Sequence, residues 1–178
     1  MRPLEDVTIV DMCDGIAGSF GTRLLADYGA NVVKVEPPEG SAVRRMPPFL
    51  KEPNLDSSAW HVFLNAGKKG MRLNLVTQEG QELLSRLLAR SDALVIDDSP
   101  EARSSRGLQP SRLLQRQPHL LIISVRPYGE HGPYANYKAD NLTLQAMGGM
   151  MGLNGDPQKE PLSAPGEQAS MIAGRNVS

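Results

Sequence analysis

Apolar residues come in short runs along this chain, and stretches of helical spacing separate them. Val7 to Met12 is the first run and predicts a strand. Ala17 to Tyr28 predicts a helix, opened by Gly15 and Gly18, with Leu24, Leu25 and Tyr28 at helical spacing. Gly29 supplies the left-handed turn that ends it. Asn31 to Glu36 follows as a second strand, because Val32, Val33 and Val35 favour extended backbone. Pro37 and Pro38 stop that strand. So tight a passage from helix to strand, with a charged residue at the strand's end, predicts a parallel sheet whose carboxyl edge receives a ligand.

Pro37 to Ser58 is rich in Pro, Arg and small residues and reads as a loop. Trp60–Leu64 and Met71–Leu75 are short strand candidates around a turn at Asn65-Ala66-Gly67. Glu79 to Arg90 predicts a helix, since Leu83, Leu84, Leu87 and Leu88 make one apolar stripe. Ala93–Ile96 and Leu120–Val125 read as buried strands, and Pro110–Gln115 as a short helix with proline near its first position. This alternation predicts an α/β fold, a Rossmann-like doubly wound parallel sheet with helices on both faces. Beyond Asn141 the pattern changes. Asn141–Met151 is apolar with Met147, Met150 and Met151 clustered, Gly155-Asp156-Pro157 is a turn, and Ala169–Ser178 begins a small-residue helix with little to pack on. The expected organisation is a domain over 1–140 and a segment, 141–178, that starts a connection toward a second domain outside this chain.

Composition narrows the function classes. A length of 178 residues gives room for one core and an extension. A net charge of −1 supplies no field for nucleic acid or anionic lipid, and 4% aromatic residues offer little for base stacking. No apolar run reaches bilayer length, and Met1–Asp6 lacks a signal core. Cys13 is the single cysteine, so no internal disulfide forms. A soluble cytoplasmic protein without nucleic-acid or membrane partners is the expectation.

Several collinear segments carry a resemblance. They are P-L-E-D-V-T-I-V-D, I-A-G-S-F-G-T-R-L-L-A-D-Y-G-A-N-V-V-K-V-E-P-P, F-L-N-A-G-K-K-G-M-R-L-N-L, T-Q-E-G-Q-E-L-L, Q-P-H-L-L-I-I-S-V, Y-G-E-H-G-P-Y and L-Q-A-M-G-G-M-M-G-L-N-G-D-P. In this order they resemble the family III CoA-transferases, the carnitine-CoA and formyl-CoA transferase group that also includes α-methylacyl-CoA racemase. The form F-L-N-A-G-K-K resembles a branch whose members sometimes carry two transferase halves in one polypeptide. The resemblance implies a part of a larger interlocked-dimer fold. It implies transfer of coenzyme A between carboxylic acids, with acyl-CoA and free acid as substrates and no permanently bound cofactor. A homodimer, or association with a second transferase half, is the implied assembly. In such chemistry a carboxylate attacks the thioester to give a mixed anhydride, and the released CoA thiolate then forms an enzyme-CoA thioester.

Carried onto this chain residue by residue, the resemblance puts Ser170 at the carboxylate position, in register with Ala173-Gly174. Glu167, three residues earlier, is the nearest carboxylate and lies near the site if a helix already runs there. Ile16 and Ala17 fall where the strand-to-helix loop meets the nucleotide, and Gly18 allows close backbone approach; a helix start that needs small residues for packing explains them equally. Leu73, Asp97, Asp98 and Lys138 fall at other contact positions, although two aspartates repel a phosphate. Pro37 stands where a relative has an adenine-stacking arginine, leaving Arg44 and Lys138 as phosphate donors, against the default of solvated surface charges. Lys138-Ala139 occupies the racemase histidine position, which disfavours racemisation. The alternative to a complete transferase is a non-catalytic CoA-binding or assembly half that lacks the nucleophilic carboxylate.

Other residues are discounted. Cys13 reads as a small buried side chain at a strand end. His61, His119 and His131 lack metal-ligand spacing, so no metal site is expected. Lys68-Lys69 with Arg72 reads as a solvated basic turn, with a CoA phosphate contact as the family-based alternative. Gly15, Gly18 and Gly21 do not form the dinucleotide fingerprint.

Overall fold

Five strands build one sheet: β1 (Thr8–Asp11), β2 (Asn31–Glu36), β3 (Lys69–Arg72), β4 (Ala93–Ile96) and β5 (Leu121–Ser124). The computed structural model describes residues 2–178. Strand order is β3-β2-β1-β4-β5 and every pairing is parallel, with Ile9 opposite Val32 on one side and Ala93 on the other. The helices are α1 (Ile16–Asp27), α2 (Ala59–Leu64), α3 (Gln78–Leu88), α4 (Pro100–Ser105), α5 (Pro110–Arg116), α6 (Asn141–Met147) and α7 (Gln168–Arg175).

Successive side chains of a strand point to opposite faces, and both faces are covered. Val10, Leu94 and Ile96 pack with Leu84 and Leu88 of α3 and Leu113 of α5. Ile9, Ala93 and Val95 pack with Leu25 and Ala26 of α1 and with Val177 just past α7. The sheet is therefore doubly wound, as the alternating runs predict. The exposed edge β3 carries Lys69 and Arg72, charges that discourage edge-to-edge pairing.

Three expectations are corrected and one helix is added. Trp60–Leu64 is helical, within α2, although its aromatic and β-branched residues favour a strand. The Ser58 hydroxyl caps this helix at the His61 amide and also donates to the Val43 and Met46 carbonyls, and Leu64 is fully buried beside Ile16. Capping and tertiary burial override propensity there. The strand expected at Met71–Leu75 lies two residues earlier, and Leu73 and Leu75 are buried beyond its end. Ser99-Pro100 opens α4, which the sequence reading passes over; the Ser99 hydroxyl accepts from Ala102 N–H at 3.2 Å. The terminal helix does have a partner, because α7 crosses α1 backbone to backbone. A methyl group on Gly21 would sit 2.5 Å from the Gly174 carbonyl oxygen, and one on Gly174 would sit 2.6 Å from that of Ala17.

Candidate functional site

The strand order reverses direction at β1 and β4, and the crevice beyond their carboxyl ends is where such sheets take ligands. Here that crevice opens into a cleft of about 820 Å³. The β1–α1 loop supplies Asp14, Gly15, Ile16 and Ala17, the end of β4 supplies Asp97, and the end of β5 supplies Val125 and Arg126. The starts of α6 and α7 close the other side with Asp140, Asn141, Glu167 and Ser170.

Asp97 ties the two central strands together at the cleft floor. Its carboxylate accepts the Asp14 N–H at 2.8 Å and the Gly15 N–H at 2.7 Å. A carboxylate thus takes the amides ahead of α1 that bind pyrophosphate in dinucleotide folds. Burial pushes the Asp97 carboxyl up to about 6, against the lowering pull of these two amides.

Opposite, the Ser170 hydroxyl donates to Glu167 Oε2 at 3.0 Å. The sequence reading missed the two residues that place this pair. Asn141 accepts the Ala169 N–H at 2.9 Å and donates to the Gly166 carbonyl at 2.8 Å. Gln145, fully buried, donates to the Ala164 carbonyl at 3.2 Å and accepts its N–H at 2.7 Å. An asparagine and a glutamine one helical turn apart stand in N-L-T-L-Q, but nothing local marks them as clasps for a segment 19 to 28 residues on. Arg126 was also missed. Its Nη2 donates to the Ala135 carbonyl at 2.8 Å, while its Nε is buried without a partner.

A smaller cleft of about 210 Å³ lies across the same sheet edge, lined by Met12, Glu36, Pro37, Leu73, Leu75 and Arg106 among others. Glu36, the charged residue at the end of β2, lines this cleft with both carboxylate oxygens already engaged by the chain. Both of its oxygens accept from Arg44 Nε at 3.0 Å, Arg44 Nη2 bonds Oε2 at 2.7 Å, and the Ser41 hydroxyl donates at 2.7 Å. Its carboxyl, raised by burial but lowered more by these donors, falls to about 2. Arg44 also holds Asp56 at 2.6 Å, so its guanidinium fastens the Pro37–Ser58 loop.

Beneath the β1–α1 loop lies a buried charge cluster. Lys34 bonds Asp11 at 3.2 Å and also donates to the Cys13 carbonyl and to Ser19 Oγ. Lys68 bonds Asp11 at 2.8 Å, the Ser19 carbonyl at 2.8 Å and Thr22 Oγ1 at 2.9 Å. The basic turn expected to be solvated is thus half internal, with the Lys68 side chain wholly buried and Lys69 outside. Burial and Lys34 press the Lys68 ammonium toward losing its proton, whereas for Lys34 burial is outweighed by the surrounding negative groups together, Asp11 foremost, and its value rises. Burial, then Asp11 and Asp97, raise the Cys13 thiol far above its usual range, so it is no nucleophile at neutral pH.

Of the expected site residues, Ile16, Ala17, Asp97, Glu167 and Ser170 share the large cleft. Leu73 lies in the smaller one. Gly18 faces the interior, where a methyl group would meet Cys13 Sγ at 2.2 Å. Asp98 pairs with Arg106 at 3.0 Å, and Lys138 is exposed and lines neither cleft. Among the described residues, no group of three or more His, Cys, Asp or Glu side chains could hold a metal ion, and no helix is long and apolar enough to cross a membrane.

The model of CoA-transferase family III matches residues 4–177. A succinate–glutarate CoA-transferase from Agrobacterium fabrum is 31% identical over 177 residues, covering 97% of this chain and 44% of that protein. The succinyl-CoA:(R)-benzylsuccinate CoA-transferase subunit BbsE of Thauera aromatica is 34% identical over 166 residues, covering 93% and 40%. A solved CAIB/BAIF family protein from Brucella suis superposes with a TM-score of 0.90 at 33% identity, covering 98% of this chain and 47% of that one. The chain spans less than half the length of each of these relatives.

Proposed function

The chain belongs to CoA-transferase family III, and on that premise we propose that it forms the coenzyme A-handling N-terminal part of an enzyme that moves CoA between carboxylic acids. The observation that carries this reading is the shared cleft. Packing of α7 on α1 through Gly21 and Gly174 brings the Asp14–Ala17 loop and the Glu167–Ser170 pair together, though more than a hundred residues separate them. The smaller cleft at Leu73 and Pro37 suits the nucleotide end of CoA, and the larger one its acyl end. Relatives named for succinate, glutarate and benzylsuccinate support carboxylic acids as the substrate class.

Transfer requires a carboxylate that attacks the thioester carbonyl, expels CoA thiolate and becomes a mixed anhydride. The thiolate then attacks the enzyme's own carbonyl and releases the donor acid, leaving an enzyme-CoA thioester that the acceptor acid reverses. Ser170 at the position of that nucleophile favours a specific role for this chain: it binds and assembles, and the acylated carboxylate lies elsewhere. In this reading residues 1–140 bind CoA, residues 141–178 lead toward a second domain, and a homodimer or a second transferase half completes the enzyme.

Trapping tests the reading. Incubation with an acyl-CoA, followed by intact-mass measurement with and without borohydride reduction, should leave the chain unmodified, while calorimetry should detect CoA binding with a Kd of about 0.1–1 mM. An adduct of CoA mass on Glu167 in the unreduced sample, replaced by the side-chain alcohol with release of CoA after borohydride, would make the chain a transferase in its own right. Acylation of Ser170 would indicate serine chemistry with Glu167 as base. No heat with CoA would remove the binding role.

A further inference from the structure

We propose that Arg126 binds one carboxylate of a small dicarboxylic acid in the large cleft, holding its other end toward Ser170. The inference rests on the reading of this cleft as the acid-accepting one. Four acidic side chains line the cleft, and each is engaged: Asp97 by the Asp14 and Gly15 amides, Asp14 by the Ala42 amide, Asp140 by Thr143, and Glu167 by Ser170. Arg126 is left over. Among the described residues it makes no ion pair, and its only side-chain bond is Nη2 to the Ala135 carbonyl. Its Nε is buried with nothing to donate to, a cost that an incoming acceptor removes.

The surroundings select the acceptor. Ile16, Val125, Leu144, Met150 and Ile172 give the cleft an apolar wall that suits a short carbon chain. Each carboxylate of such an acid carries one charge and matches the guanidinium fork with two parallel bonds. A phosphate concentrates its charge on one group in a cleft that already holds Asp14, Asp97, Asp140 and Glu167, whereas a dicarboxylic acid spreads its two charges along a carbon chain. The second carboxylate then lies near the start of α7, where the N-cap residue Glu167 makes no side-chain cap and Asn141 takes only the Ala169 amide.

Succinate, its monoacid counterpart butyrate, and CoA are the probes, titrated separately into this chain and into R126M and R126K while side-chain and backbone NMR signals are followed. Succinate should shift the Arg126 Nε–H and the Ile16 and Ser170 amides, and should bind more tightly than butyrate. R126M should weaken succinate by about tenfold or more, R126K should recover part of the loss, and CoA affinity and melting temperature should hold. Undiminished succinate binding by R126M, or none by the parent chain, would overturn the assignment. So would equal loss of succinate and CoA, which would make Arg126 a phosphate contact, or a melting drop shared by both variants, which would make it structural. Succinate bound through Arg126 by a chain that ignores CoA would instead end the transferase reading and leave this one standing.

Discussion

Asp11 neutralises two buried ammonium groups at once, so the residues around it are unequal in what they hold up. Replacing Asp11 by Asn strands Lys34 and Lys68 without a counter-ion and should cost about 3–5 kcal/mol. Replacing Lys34 by Met leaves Asp11 and Lys68 as a one-to-one pair and should cost less; denaturant unfolding of the two variants checks the order. Acidity at Asp97 acts in the opposite sense to that at Asp11 and Glu36. The folded-state value of Asp97, about 6 against 3.8, means its contribution is fully present below pH 4 and is lost as pH rises through 6. Asp11 and Glu36, both held near 2, contribute above their ordinary values of 3.8 and 4.5, and lose that contribution as pH falls toward 2. Melting temperatures between pH 4 and 7 should therefore show a fall in the parent chain that D97N flattens, while both chains lose stability alike below pH 4.

Among the elements, α7 matters most for the site, because it carries Ser170 and is held from three directions. Asn141 and Gln145 fasten the approach, and the glycine crossing fixes the helix against α1. Alanine at Gly174 puts a methyl group 2.6 Å from the Ala17 carbonyl and 3.2 Å from the Gly21 nitrogen, where backbone has to yield. G174A should destabilise by about 1–3 kcal/mol through overpacking and shift the Ser170 amide in NMR spectra. G152A is the control: open space surrounds Gly152, and the change should stay within about 0.5 kcal/mol. At α2 the lesson runs the other way. Trp60, Val62 and Phe63 favour a strand locally, yet the Ser58 cap and the stacking of Phe63 on Phe20 settle a helix.

For the whole molecule, apolar surface gathers on the side of α6. Leu142, Met147 and Leu153 are exposed, as are Tyr134 and Tyr137 from the preceding loop. This chain should self-associate as concentration rises, and a Met147→Gln, Leu153→Ser double variant should do so less. Light scattering across a dilution series checks both, and a clean monomer for the parent chain at high concentration would count against the prediction.

The doubly wound sheet was legible from the chain itself, because a strand buried on both faces has to be an apolar run and a covering helix has to show an apolar stripe. Val32, Val35, Leu84 and Leu88 announce their partners in that way. Family membership was legible too, from ordered segments spread along the chain. The site was legible only in pieces. Ile16, Ala17, Glu167 and Ser170 were named one by one, but their meeting depends on α7 returning to α1, and glycine at a helix crossing reads locally as a mere loss of helix propensity. Lys68 reads as a surface charge because its partner Asp11 lies 57 positions away. Arg126 reads the same way, because only the folded chain shows which carboxylates are already taken. Local periodicity records burial and backbone preference; which charges find each other is decided by contacts between residues far apart in sequence, and those belong to the tertiary structure.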